Sequence, residues 1–474
     1  MVFTSLQFVV FFVVVYALYR VLPRRAQNVA LLVASYVFYG AWDWRFLGLL
    51  WASTIIDYVI ARYLGRAPDG RARTAALVVS LTSSLGMLGF FKYFDFLATS
   101  ASRVFGVLGW TFDPITAHVL LPIGISFYTF MTMGYVIDVY RREIPPERNF
   151  ITFALFVAYF PHLVAGPILR ASLLIPQLRR PRVLSWAQSR EGLWLIAWGV
   201  FQKMFVADNL AGLVNATFAR TADPAGVDVL VATYAFAFQI YGDFAGYSNI
   251  ARGVSKLLGI ELNVNFLYPY FVHSPQQFWR HWHISLSTWL RDYLYFPLGG
   301  SRGSRWQTAR NLLVTMTLGG LWHGAAWTFV LWGLYQGVLL VVSRTIAEWG
   351  TRRGLHVPPG WSWRRVALGL VTFHAMCAGW LIFRAESLSQ VVDFARRLVA
   401  RFLPSASIWP SLVVPLVLIL APFLIVHVYQ ARRGSESAPL ELARPIRYAL
   451  YGAVFYLVLL FGNFEGAQFI YFQF

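Results

Sequence analysis

The sequence predicts an all-α, polytopic membrane bundle of about 10 to 12 membrane-embedded helices, some broken or re-entrant. Three observations carry that expectation. Apolar residues make up 58% of the 474-residue chain and charged residues only 13%, against roughly 25% charged in an average soluble domain. So little charge cannot coat a globule of this size. The apolar residues fall into runs near the ~20 residues that a helix needs to cross a bilayer. The basic excess, net +19, sits in short clusters between those runs, which is the pattern of cytoplasmic loops. A basic face on a soluble module is missing, so no nucleic-acid partner is expected. High hydrophobicity excludes a disordered chain, and the lone Cys377 excludes a disulfide scaffold. The length suits one large bundle, so residues 1–474 are read as a single integral membrane domain.

The elements follow in chain order. Residues 2–22 are apolar, lack a basic n-region and a small-residue cleavage site, and end at Arg20, Arg24 and Arg25; they read as a retained helix and not as a signal peptide. Residues 29–63 are too long for one crossing, and 40–44 (GAWDW) offers the break that makes a helical hairpin. The tail 62–73, with Arg62, Arg66, Arg71 and Arg73, is assigned to the cytoplasm. Spans at 74–97 and 118–139 lead to the basic, proline-broken loop 141–148 (RREIPPER), also cytoplasmic. Residues 150–169 hold Pro161, His162, Gly166 and Pro167, which suggests a broken piece buried in protein. Spans at 192–214 and 229–250 follow. Residues 268–310 mix Pro, His, Arg, Trp and Gly and cannot form a simple lipid-facing helix. The apolar stretch 311–342 is interrupted at Gly319, Gly320, His323 and Gly324. Spans near 366–383, 411–430 and 448–460 complete the set, and no internal repeat is visible.

Polar groups at membrane depth are costly, so they commonly line a cavity or bind something. The histidines are His118, His162, His273, His281, His283, His323, His356, His374 and His427. His323 stands out inside 318–327 (LGGLWHGAAW), flanked by glycines that allow close backbone approach. A desolvated imidazole there stays neutral and able to accept a proton. On spacing alone, a functional base and a core histidine bonded to a neighbouring helix stand level. His281 and His283 are two apart and would face differently on a helix. With no Cys or carboxylate at ligand spacing, no metal is expected from them and His323. Asp243, deep in an apolar span, reads first as a helix-packing group. No Walker-type loop, nucleophile elbow or dinucleotide fingerprint is present. The acceptor-like triplet at Asn215 is ascribed to chance.

Five segments together carry a resemblance: 159–168 (YFPHLVAGPI), 243–248 (DFAGYS), 278–300 (FWRHWHISLSTWLRDYLYFPLGG), 320–329 (GLWHGAAWTF) and 469–474 (FIYFQF). They span about two-thirds of the chain in order, and the sequence resembles the membrane-bound O-acyltransferase family in its bacterial alginate O-acetylase-like branch. The resemblance implies helices around a central tunnel in a bacterial inner membrane. It places the family's essential histidine on His323 and its second motif histidine on His283. His281 stands where relatives usually have Arg, and Asn249 where they often have Asp.

The implied reaction moves an acetyl group from a cytoplasmic donor, acetyl-CoA, to a hydroxyl of an exopolysaccharide such as alginate, directly or through a periplasmic partner protein. The donor is a substrate, and no bound cofactor is expected. His323 would act as general base; His283 would orient the acceptor or stabilise the oxyanion. Arg252, Lys256, Arg302 and Arg305 would attract the donor's phosphates. Membrane lipids are the remaining expected partners. The alternatives from other classes are a transporter or flippase, which would be expected to show an inverted repeat, and a scaffold subunit of an envelope polysaccharide machine.

Overall fold

In the computed structural model the described residues are 1–110, 113–117, 119–219, 221–354, 362–405, 407–464 and 469–470. Among them no β-strand occurs, and the chain is a polytopic helical bundle. Six helical stretches are long and apolar enough to cross a membrane: Arg25–Leu64, Arg71–Val107, Trp327–Arg352, Trp363–Arg384, Trp409–Arg433 and Arg444–Phe461. The span expected at 2–22 becomes the shorter apolar helix Leu6–Val21, and the remaining expected spans become helices that are interrupted or carry buried polar side chains. His118 and His356, and the end of the last motif, lie outside the described residues.

The chain divides into two compact units, one of residues 1–192 with 251–263, the other of 193–250 with 264–474. The first unit holds α1 (Leu6–Val21), α2 (Arg24–Asp43), α3 (Leu47–Leu64), α4 (Arg71–Leu88), α5 (Phe94–Val107), α6 (Ile125–Tyr140), α7 (Phe150–Ala158), α8 (Phe160–Leu163) and α9 (Ala171–Arg179). The break expected at 40–44 falls at Asp43, whose carboxylate accepts from the Arg45 amide at 3.0 Å and caps one 3₁₀ turn, Trp44–Phe46, ahead of α3. α6 packs against α3 and α4 and is buried at nearly every position, because its small and apolar residues run round the whole helix. The proline-bearing segment 150–169 breaks into α7 and α8 at Tyr159 and is buried from Thr152 to Leu169, as its composition predicts. His162 sits in it with Nε2 3.1 Å from the Phe156 carbonyl oxygen.

α10 (Trp186–Val200) leads from the first unit into the second and runs through a buried π-helical stretch, Phe201–Ala207, to α11 (Asp208–Phe218). α12 (Gly226–Leu257) is longer than the span expected at 229–250 and contributes to both units. The second unit continues with α13 (Pro275–His281), α14 (Ile284–Leu290), α15 (Arg305–His323), α16 (Trp327–Arg352), α17 (Trp363–Arg384), α18 (Leu388–Ala400), α19 (Val414–Arg433) and α20 (Arg444–Phe461). α18 lies in a stretch where no span is expected; its polar and apolar residues segregate to opposite faces. Side-chain caps start several of these helices. Ser304 accepts from the Gln307 amide while Gln307 accepts from the Ser304 amide, a reciprocal cap for α15.

Candidate active site

The site is built on one helical hairpin of the second unit. α15 ends on His323, and after three intervening residues α16 begins at Trp327. The two helices approach at glycines: a Cβ on Gly320 would lie 2.3 Å from the Phe329 carbonyl oxygen and 2.8 Å from Gly333 Cα, and one on Gly333 would lie 2.4 Å from the Met316 carbonyl oxygen. Only hydrogen fits at these contacts. The small residues that interrupt the apolar run therefore fix where His323 stands, at the closed end of the hairpin.

His323 is 4% exposed. Its ring meets Trp322 and Trp332 edge-on, with centroids 5.1 Å away in both cases, and Phe383 of α17 at 5.5 Å. Large aromatic rings thus pack around the buried imidazole.

His283 joins it from a different segment. It lies between α13 and α14, fully buried, with φ 42° and ψ 54°. This left-handed conformation is uncommon outside glycine, costs of order 1–3 kcal/mol and concentrates at functional positions. The turn is held from both sides. The Ile284 amide donates to the Asn265 backbone oxygen at 2.9 Å, the Ser285 hydroxyl donates to Asn265 Oδ1 at 2.9 Å, and the Ser287 amide donates to the His283 carbonyl at 2.9 Å. The His283 ring packs on Phe244 of α12 at 4.7 Å and Phe266 at 6.2 Å. Its centroid stands 6.4 Å from that of His323. At that spacing one oxygen can come within hydrogen-bond reach of both rings.

The remaining described histidines stand elsewhere. His281 turns its Nδ1 to the Gln277 carbonyl of its own helix at 2.7 Å, although it is only two residues from His283. His273 pairs with Gln277, His374 with the Leu370 carbonyl, and His427 of α19 with the Tyr241 hydroxyl. Among the described residues no three His, Cys, Asp or Glu side chains gather closely enough to hold a metal.

The four basic residues expected to attract a donor are scattered. Arg252 and Lys256 belong to the first unit, Arg302 and Arg305 to the second. Lys256 is neutralised by Glu191 at 3.1 Å and Glu261 at 2.7 Å, and Arg305 reaches Glu348 at 3.4 Å. Arg302 is exposed and has no carboxylate partner among the described residues. Arg305 opens α15 and His323 closes it, so about 27 Å of helix rise separates them.

One group was missed at the level of sequence. Lys203, in the buried π-helical stretch, places Nζ 2.7 Å from Asp208 and 2.8 Å from Asp243, with all three side chains at most 5% exposed. The other Asp243 oxygen accepts the Ile470 amide at 2.7 Å. Phe469 then packs on Tyr247 at 4.7 Å and on Phe244 at 5.7 Å, the same Phe244 that meets His283. A lone lysine in an apolar run, with acids in this span and the next, was the available signal.

A model of the family described as MBOAT, membrane-bound O-acyltransferase, matches residues 118–376. A protein of Azotobacter vinelandii named probable alginate O-acetylase is 42% identical over 404 residues, covering 84% of this chain and 77% of its own. Its namesake in Pseudomonas aeruginosa is 43% identical over 390 residues, covering 82% and 73%. A peptidoglycan O-acetyltransferase of Helicobacter pylori is 32% identical over 412 residues, covering 80% and 76%.

Proposed function

The chain belongs to the membrane-bound O-acyltransferase family and is a multi-pass membrane acyltransferase; on that premise we propose that it carries acetyl groups from cytoplasmic acetyl-CoA across the inner membrane for O-acetylation of an exopolysaccharide of the alginate type. The observation that carries the reading is the meeting of His323 and His283, forty residues apart in sequence, in one dry aromatic pocket. The names of the relatives support acetyl as the group and a cell-envelope polymer as its destination.

In this mechanism His323 takes the proton from an acceptor hydroxyl. The hydroxyl oxygen forms its bond to the thioester carbonyl carbon, and the carbonyl π pair moves onto oxygen. That oxyanion collapses, the C–S bond breaks, and the leaving thiolate recovers the proton from His323. Acid–base help of this kind is worth roughly 10²–10⁴-fold. His283 donates to the developing oxyanion or orients the acceptor. The aromatic wall keeps water from the thioester. Of the four expected basic residues, the exposed Arg302, with no carboxylate partner among the described residues, is the one that contributes an uncompensated positive charge for the donor's phosphates. The acceptor is the polymer itself or a periplasmic protein that relays the acetyl group.

The test is acetyl transfer by purified protein in vesicles supplied with labelled acetyl-CoA. The wild type releases CoA and labels an acceptor; His323→Ala, still monodisperse, loses turnover by a factor of roughly 10² or more. Turnover at the wild-type rate in His323→Ala would defeat the assignment of the base. No CoA release from the wild type with any acceptor would point to a scaffold or transporter.

A further inference from the structure

A second site lies in the first unit, at the basic end of α3. Tyr58, Val59, Arg62, Tyr63, Arg66 and Ala67 line a concavity of about 550 Å³ open to the outside. The 146–150 segment closes in beside it. The Tyr58 hydroxyl donates to the Arg148 carbonyl at 2.6 Å, Phe150 meets the Tyr58 ring edge-on at 5.2 Å, and Pro146 packs against Gly65. The arginines at this end fall into two kinds. Arg73 and Arg142 are both taken by Asp69, at 2.5 Å and 3.0 Å. Arg62 and Arg66, one helical turn apart, have no carboxylate partner among the described residues. They present two uncompensated positive charges to the concavity.

Below them the same helix is apolar and exposed. Trp51, Ile55, Val59 and Tyr63 recur every four residues and are 47%, 50%, 58% and 46% exposed, so they form one continuous stripe. From Trp51 to Tyr63 the helix rises about 18 Å, close to the ~15 Å of one hydrocarbon leaflet. The ligand that matches this layout has an anionic phosphate head and a long apolar tail. A soluble phosphate compound would use the arginines and leave the stripe unmatched.

We propose that this concavity binds an anionic phospholipid, its phosphate between Arg62 and Arg66 and its acyl chain along the Trp51–Tyr63 stripe. Tyr58 and Tyr63 sit at headgroup level, where amphipathic rings are favoured.

The experiment uses the full chain purified from detergent and reconstituted with equal amounts of dioleoylphosphatidylglycerol and dioleoylphosphatidylcholine, the retained lipid being counted by native mass spectrometry. The wild type retains phosphatidylglycerol in preference. Arg62→Gln/Arg66→Gln loses that preference by a factor on the order of ten, while Arg62→Lys/Arg66→Lys, which keeps the charge, holds it. Excess inorganic phosphate or coenzyme A does not displace the lipid. The proposal is overturned by equal retention of both lipids in the wild type, by an undiminished preference in the Gln variant, by loss of preference in the Lys variant, or by displacement with either soluble phosphate compound. None of these readings depends on acetyl transfer, so its failure is separable from failure of the proposed function.

Discussion

Replacing Lys203 by Met removes the one ammonium between two carboxylates whose side chains are 4% and 5% exposed. Asp208 and Asp243 are then left buried with no cation beside them among the described residues. Breaking a buried ion pair from one side costs about 3–5 kcal/mol, because the partner's desolvation is no longer offset. Here two partners are left, which puts Lys203→Met at the upper end of that range. Neutralising all three groups together should recover most of the loss, since isosteric replacement of buried charges is often neutral. In Lys203→Met/Asp208→Asn/Asp243→Asn, residue 243 also keeps a carbonyl oxygen to accept the Ile470 amide. The assay is the fraction of protein that stays monodisperse after graded heating in detergent, read by size-exclusion chromatography. The single variant should aggregate well below the wild type, and the triple variant should lie between them. A single variant as heat-resistant as the wild type would refute the reasoning, as would a triple variant no better than the single.

Three further outcomes follow from the geometry. His283→Ala and His283→Asn should both lose turnover in the acetyl-transfer assay, but the Asn variant should be the more stable by about 1 kcal/mol, because asparagine tolerates the left-handed backbone at φ 42°. Gly320→Ala should separate α15 from α16 and lower both stability and turnover, since its Cβ meets backbone atoms at 2.3 Å and 2.8 Å; Gly86→Ala in α4, with nothing within 4 Å, should be neutral or slightly stabilising in the same heating assay. Asp69, in the loop after α3, has its pKa held below the ordinary carboxylate value, chiefly by the hydrogen bond from Arg142 and then by that from Arg73. Its contribution to ordering the loop is therefore present above the unfolded value near 4 and is lost as pH falls through the lower folded value. Limited proteolysis at residues 65–73 should rise over that acidic range in the wild type and be flat in Asp69→Asn.

Much of the fold was written in composition and breaks. The turn at 40–44 and the interruption at His323 were legible because Asp43, the paired glycines and the histidine oppose a continuous lipid-facing helix. The burial of 150–169 was legible because prolines at membrane depth need protein partners for the freed backbone groups. α18 was missed because its apolar residues occupy one face and never form a continuous run. His323 was legible as an isolated imidazole, but its neighbours Trp332 and Phe383 were not, since contact between α15, α16 and α17 is set by packing that no short spacing encodes. That His281 and His283 face apart was legible from their two-residue spacing, but the left-handed turn at His283 that separates α13 from α14 was not. Among the four basic residues, sequence gave their charge but not their partners, and Glu191 and Glu261 remove Lys256 from the free set.

The bond from the Ile470 amide to Asp243 joins positions 227 residues apart. At ~5–20 residues per second of synthesis, the carboxylate emerges roughly 10 to 45 s before its last partner. Throughout that interval the second unit has an open seam beside Phe244 and His283. Lys203, translated earlier still, is on hand to accompany the acid while it waits. Closure of the seam beside Phe244 and His283 thus waits on residues 469–470, and a nascent chain stalled before Phe469 would hold its earlier helices with that seam still open.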